Sequence, residues 1–148
     1  MISYNEQWNK LTTAYINNEV QPYIACACFI GNLLNNTSTW MDGRLGFDFK
    51  NNKVDGIQEL PHVIRSIKRE SKGTYTQKEI YQLELLFLKT ISDETKRECC
   101  DADNYEDALF KAFELTLDLL KEIHLSKGEI VEEVPQFKQR KINQYDRV

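Results

Sequence analysis

The stretch 104-NYEDALFKAFELTLDLLKEIH-124 is the longest regular pattern in the chain and decides its fold class. Large apolar residues recur in it every three or four positions, at Leu109, Phe110, Phe113, Leu117, Leu120 and Ile123. With 3.6 residues per turn, this spacing places them on one side of an α-helix. Asp103 or Asn104 suits the N-cap, and Gly128 suits the end. The sequence therefore predicts a long amphipathic helix with one buried side.

Four more helices are predicted upstream of this stretch. Thr76 with Glu79 is a capping box, and Pro22 and Pro61 suit the first turn of a helix, where no N–H is needed. The second of these segments, PYIACACFIGNLL, is apolar almost all round, which predicts a buried central element. The predicted helices cover about residues 4–18, 22–34, 61–71 and 76–91.

The stretch 39-TWMDGRLGFDFKNN-52 interrupts the helical pattern with a concentration of large apolar side chains. Its alternation of Leu45, Phe47 and Phe49 with small or polar residues predicts a small hairpin near 40–50, or an ordered loop. One interpretation is that these side chains and Trp40 cap the core. The other is that some of them contact a partner, since tryptophan and arginine are enriched in binding hot spots. Trp40 and Arg44 are the two expected to face outward.

The last segment, 129-EIVEEVPQFKQRKINQYDRV-148, has mixed charge, a proline and no periodicity. It is predicted to be an arm that is either disordered or docked on another surface. Phe137 and Tyr145 are its expected anchors. The predicted architecture is thus an all-α, compact bundle of about five helices over residues 1–128, followed by a C-terminal arm over 129–148.

Composition excludes several classes of function. The chain has 148 residues, of which 41% are hydrophobic and 28% charged, as in a globular protein. It contains no membrane-spanning apolar run and no secretory signal at its start, so a cytoplasmic location is expected. A viral or mobile-element origin fits the same features. The net charge of −4 disfavours nucleic acid as a partner.

The sequence gives little support for a metal, cofactor or catalytic site. The four cysteines form the pairs Cys26/Cys28 and Cys99/Cys100, and neither spacing is that of a zinc knuckle. The two histidines belong to separate predicted helices, and no glycine-rich phosphate loop is present. We therefore predict no cofactor, no metal ligand and no catalytic residue.

Two charged stripes occur at helical spacing. The basic stripe is Arg65, Lys68, Arg69 and Lys72, and the acidic stripe is Glu114, Asp118 and Glu122. The basic stripe is expected to be the solvated side of its helix, and the two stripes could pair within one molecule or between two copies.

The best-supported function is a non-enzymatic protein-binding module. It would act as a subunit of a larger assembly or as a small inhibitor or immunity-type factor, with a protein partner or a second copy of itself. The predicted partner-binding residues are Trp40, Arg44, Phe47, Phe49, Phe137 and Tyr145. The alternative is a metal-dependent all-α nucleotide pyrophosphohydrolase, for which Glu79, Glu84, Glu114 and Asp118 are the nearest carboxylates. Their spacings of five and four do not match the E-x-x-E and E-x-x-D patterns of such enzymes.

Overall fold

The computed structural model describes residues 1–43, 46–54 and 56–140. It confirms a compact, mostly α-helical bundle with a small hairpin. The helices are α1 (Tyr4–Ile16), α2 (Phe29–Leu33), α3 (Pro61–Glu70), α4 (Gln77–Glu94) and α5 (Tyr105–Ser126), and the strands are β1 (Phe47–Asp48) and β2 (Lys53–Val54).

The predicted signals at the starts of α3 and α4 form as expected, whereas the N-cap residue of α5 makes a different contact. The Thr76 hydroxyl accepts a hydrogen bond from the Glu79 N–H at 3.2 Å, and the Glu79 carboxylate accepts one from the Thr76 N–H at 2.9 Å. Pro61 occupies the first turn of α3. Asn104 is the N-cap of α5, but its side chain donates to the Glu94 carbonyl at 2.7 Å and does not cap the helix.

The core lies around α4 and α5, which pack against each other. α1 packs against α2 and α5, while α2 also contacts α4. Phe29 of α2 joins the two sides of this core, because its ring centroid lies 5.9 Å from that of Phe87 on α4 and 5.6 Å from that of Phe113 on α5. All five residues of α2 are buried, which confirms the prediction of a buried element there.

The predicted bounds of the second helix are wrong. Residues 22–28 form successive turns, Tyr23 has a left-handed φ of 64°, and the helix begins only at Phe29. Tyr23 and Ile24 are exposed, so the continuous apolar run does not correspond to continuous burial. The turn lies so close to α2 that a Cβ atom on Gly31 would be 2.4 Å from the Cys26 carbonyl carbon. Apolar composition alone cannot distinguish a helix from such a packed turn.

The aromatic stretch forms a 3₁₀ turn over Thr39–Gly43 followed by the hairpin. β1 and β2 are antiparallel, with Phe47 opposite Val54 and Asp48 opposite Lys53. The Asp48 carboxylate accepts hydrogen bonds from the backbone N–H and side-chain amide of Asn51, at 3.1 and 2.7 Å, and these bonds hold the turn between the strands.

The segment 129–140 has no regular secondary structure and lies against α1 and α5. The Phe137 ring has its centroid 5.2 Å from that of Tyr15 and 5.6 Å from that of Phe113. The Arg140 guanidinium donates to both carboxylate oxygens of Glu106, at 3.0 and 3.1 Å. This part of the predicted arm therefore docks on its own chain. Within the described residues, none of the helices combines the length and apolar character that a bilayer span requires.

Candidate protein-docking groove

A groove opens where α3 turns into α4. Its volume is about 480 Å³, and α3, the turn after it, the start of α4 and the segment before α3 form its walls. Gly73, with φ of 75°, adopts the left-handed conformation in the turn that reverses the chain. We call this feature the α3 groove; it is lined by Ile57, Glu59, Ile64, Ile67, Lys68, Gly73, Tyr75, Thr76, Gln77 and Lys78.

The lining of the α3 groove is largely apolar. Ile67 and Tyr75 are buried and Ile57 is half-buried, so they form part of its inner surface. Ile64 on α3 is 44% exposed at the edge of the groove. An exposed aliphatic residue next to a concave apolar surface is a feature of sites that take a partner's side chain. This arrangement can therefore bury an aliphatic group from another molecule.

The rim of the groove carries an excess of positive charge. Lys68 and Lys78 line the groove beside a single acid, Glu59. Arg65 is exposed on α3, the helix that carries Lys68. Arg65, Lys68 and Lys78 form no ion pair with other described residues. Lys72, predicted as part of the stripe, lies in the turn beyond the end of α3.

A second depression continues from the first. Its volume is about 420 Å³, and it shares Ile57 and Lys78 with the α3 groove before it runs past the β2 strand. Lys53 and Val54 of β2 contribute to its lining, together with Leu85 of α4. The two depressions therefore adjoin each other, and both are lined by apolar residues and lysines.

Of the predicted partner-binding residues that the structure describes, none lines the α3 groove. Trp40 is 0% exposed, and its indole N–H donates to the carbonyls of Ala25 and Thr37 at 3.1 and 3.0 Å. The prediction that Trp40 faces outward is therefore wrong, because its ring completes the core as in the other interpretation. Arg44 and Tyr145 fall outside the described residues.

The three phenylalanines proposed as partner contacts are half-buried. Phe47 and Phe49 lie 6.2 Å apart between ring centroids in a stacked pair, and both pack against the core. Phe137 contacts the aromatic side chains of α1 and α5 within its own chain. Each of them leaves some surface open, and their role toward a partner stays a prediction.

Most of the groove residues could not be predicted from the sequence. Lys68 belongs to the predicted basic stripe, but no periodic pattern connects it with Ile57, Ile64 or Tyr75. The signal that the sequence does contain is that Ile64 directly precedes Arg65, the first residue of the basic stripe. An exposed isoleucine borders a basic stripe on one short helix.

A buried hydrogen-bonded chain runs from the groove wall to the start of the arm. The Tyr75 hydroxyl lies 2.7 Å from Nε2 of His124, and Nδ1 of His124 lies 3.3 Å from the Glu129 carboxylate. Glu129 also accepts from the Tyr4 N–H at 3.0 Å. Burial lowers the pKa of His124, and the Glu129 carboxylate opposes that shift. Tyr75 and His124 are both buried, whereas Glu129 at the other end of the chain of groups is half-buried.

The carboxylates of the hydrolase alternative do not converge. Glu79 pairs with Lys127 at 2.7 Å and caps α4, and Glu84 is buried, whereas Glu114 and Asp118 are exposed. Throughout the described ranges, no three histidine, cysteine, aspartate or glutamate side chains are placed to hold a metal ion together.

All four cysteines, Cys26, Cys28, Cys99 and Cys100, are free thiols. Burial raises the pKa of the Cys28 thiol to about 12, so this cysteine stays protonated at neutral pH.

No family model, no curated protein and no solved structure matches this chain.

Proposed function

We propose that this chain is a non-enzymatic protein-binding module whose docking surface is the α3 groove. The observation that carries the proposal is the exposed side chain of Ile64 beside an apolar concavity, with Lys68 and Lys78 at the rim forming no ion pair with any described residue. A cytoplasmic subunit of a larger assembly and a small inhibitor or immunity-type factor would both use such a surface.

The groove also defines the chemistry of the partner. An aliphatic side chain would be buried against Ile57, Ile64 and Tyr75, where it would displace water from apolar surface. Carboxylates on the same segment would face the lysines, which raises the association rate and disfavours basic partners. The expected ligand is therefore an acidic segment with one or two protruding aliphatic residues.

Selection from a displayed library of random peptides tests this proposal. The full chain is immobilised, and the affinities of the selected peptides are measured by fluorescence anisotropy. We expect sequences that combine acidic with aliphatic residues. Ile64→Glu is expected to weaken their binding by at least about tenfold, which corresponds to about 1.4 kcal/mol.

Ile130→Glu is the matched control, because Ile130 is 93% exposed and lies on the arm, outside the groove. It introduces the same charge without changing the docking surface, so peptide affinity should stay within about twofold of the unsubstituted chain. Selected peptides that bind the Ile64→Glu chain as tightly as the unsubstituted one would contradict the proposal.

A further inference from the structure

A second exposed surface of this chain has the chemistry expected of the partner. Leu115, Asp118, Glu122 and Leu125 lie at i, i+3, i+7 and i+10 on α5, and we call them the α5 face. All four are exposed, with Leu115 at 38% and Leu125 at 43%. At 1.5 Å rise per residue the two leucines are about 15 Å apart along the helix, with both acids between them.

The negative charge of the α5 face is not neutralised within the chain. In the part of the chain that the structure describes, neither Asp118 nor Glu122 forms an ion pair, and neither does the neighbouring Glu114. Lys121 is half-buried and also forms none. Partial burial and the nearby Asp118 raise the pKa of Glu114, as expected where like charges accumulate.

None of the four residues of the α5 face lines the α3 groove of its own chain. α4 packs against both helices, and among the described residues α3 and α5 form no comparable contact with each other. Arg65 and Lys68 of α3 likewise form no ion pair with the acids of α5. Each copy therefore presents two complementary surfaces, one basic with an apolar concavity and one acidic with protruding leucines.

We propose that the partner of the α3 groove is the α5 face of a second copy of this chain. This inference rests on the proposed function and names the partner of that site. Leu115 or Leu125 would enter the groove beside Ile64, while Asp118 and Glu122 would face Arg65 and Lys68. Because two different surfaces meet, the contact is heterologous and extends to further copies unless the assembly closes.

The expected association is weak and depends on salt. One helix face against one groove covers less than the roughly 800 Å² per partner of a standard stable interface, so the assembly should form at micromolar or higher concentration. Raising the salt from about 0.1 M to about 1 M shortens the screening length from about 10 Å to about 3 Å and should shift the chain toward monomer.

A charge exchange between the two surfaces tests the inference by sedimentation velocity over a concentration series. One variant carries Asp118→Lys with Glu122→Lys, and the other carries Arg65→Glu with Lys68→Glu. Each variant alone should sediment as a monomer, because its two surfaces now have the same sign. An equimolar mixture should associate again, because the α5 face of each variant is then opposite in charge to the Arg65 and Lys68 positions of the other. The resulting assemblies should contain the two variants in equal amounts.

The control variant carries Glu132→Lys with Glu133→Lys. Both glutamates are exposed on the arm, away from the α5 face, so this variant keeps the same net charge as the first and should associate like the unsubstituted chain. Circular dichroism confirms that every variant is folded before it is compared.

Three outcomes would overturn the inference: an unsubstituted chain that stays monomeric at all concentrations, single variants that still associate, or a mixture that forms no complex. Binding of the peptides selected for the α3 groove then distinguishes a failure of the self-association from a failure of the proposed function. If they still bind the unsubstituted chain and lose affinity with Ile64→Glu, only the self-association is wrong. If no peptide binds the groove, the proposed function fails as well.

Discussion

Replacing Phe137 with alanine should release the arm and lower the free energy of unfolding by about 2 kcal/mol. Truncation of a fully buried phenylalanine costs about 3–5 kcal/mol, and Phe137 is half-buried, so roughly half of that is expected. The structural basis is its position among four aromatic side chains. The ring centroids of Tyr15, Phe113, Phe110 and Trp8 lie 5.2, 5.6, 5.7 and 6.5 Å from that of Phe137.

Urea unfolding measures this change through far-ultraviolet circular dichroism and tryptophan fluorescence. Trp8 contacts Phe137 and reports on the docked arm, whereas Trp40 is fully buried in the core. For a chain of this length the melting temperature should fall by about 4–8 °C. Trypsin should also cut faster after Arg140, because its guanidinium is half-buried against Glu106 while the arm is docked.

Ile130→Ala is the matched control for the arm. Ile130 is 93% exposed on the same segment, so its truncation should change the free energy of unfolding by less than about 0.5 kcal/mol. Equal effects of the two substitutions, with equal rates of trypsin cleavage, would refute the docking of Phe137 on its own chain.

Three further predictions concern buried side chains. Trp40→Ala should lower the free energy of unfolding by about 3–5 kcal/mol in a urea titration, because its indole is fully buried; a change below about 1 kcal/mol would contradict its place in the core. Gln7→Leu should leave stability unchanged or raise it by about 1 kcal/mol, because its amide is buried and forms no hydrogen bond of normal geometry with the described residues. Burial lowers the pKa of His124 in the folded state, so the unfolded chain binds the proton more tightly. Stability should therefore fall as pH decreases below about 6.5 and level off below the folded pKa, and unfolding titrations at several pH values should show His124→Gln without this decrease.

The helices whose starts could be predicted are those that begin at a local sequence signal. α4 begins at the capping box of Thr76 and Glu79, and α3 begins at Pro61, as expected. These signals suffice because a cap or a first-turn proline acts on groups within one turn of the chain. The predicted bounds of the second helix are wrong because no such signal divides its apolar run. The turn over residues 22–28 depends on contact with α2, which the local sequence does not encode.

The candidate site was predicted only in part. The exposure of Arg65 and Lys68 follows from their spacing on α3, and both side chains are exposed in the structure. The concavity beside them does not follow from any spacing in the sequence. Its walls come from the segment before α3, from α3 itself, from the turn after it and from the start of α4. The burial of Trp40 could not be predicted from the sequence either. An aromatic residue in an irregular segment has no periodicity, so its burial depends on what packs against it.

The sequence by itself determined the class of fold, the starts of α3, α4 and α5, and the two charged stripes. These properties depend on hydrogen bonds and side-chain spacings within a few residues, which the order of residues specifies directly. Only the tertiary structure decided that Trp40 is in the core, that Phe137 docks on its own chain, and that Ile64 borders a groove. Each of these depends on which distant segments approach one another, and that approach is set by the packing of the whole chain.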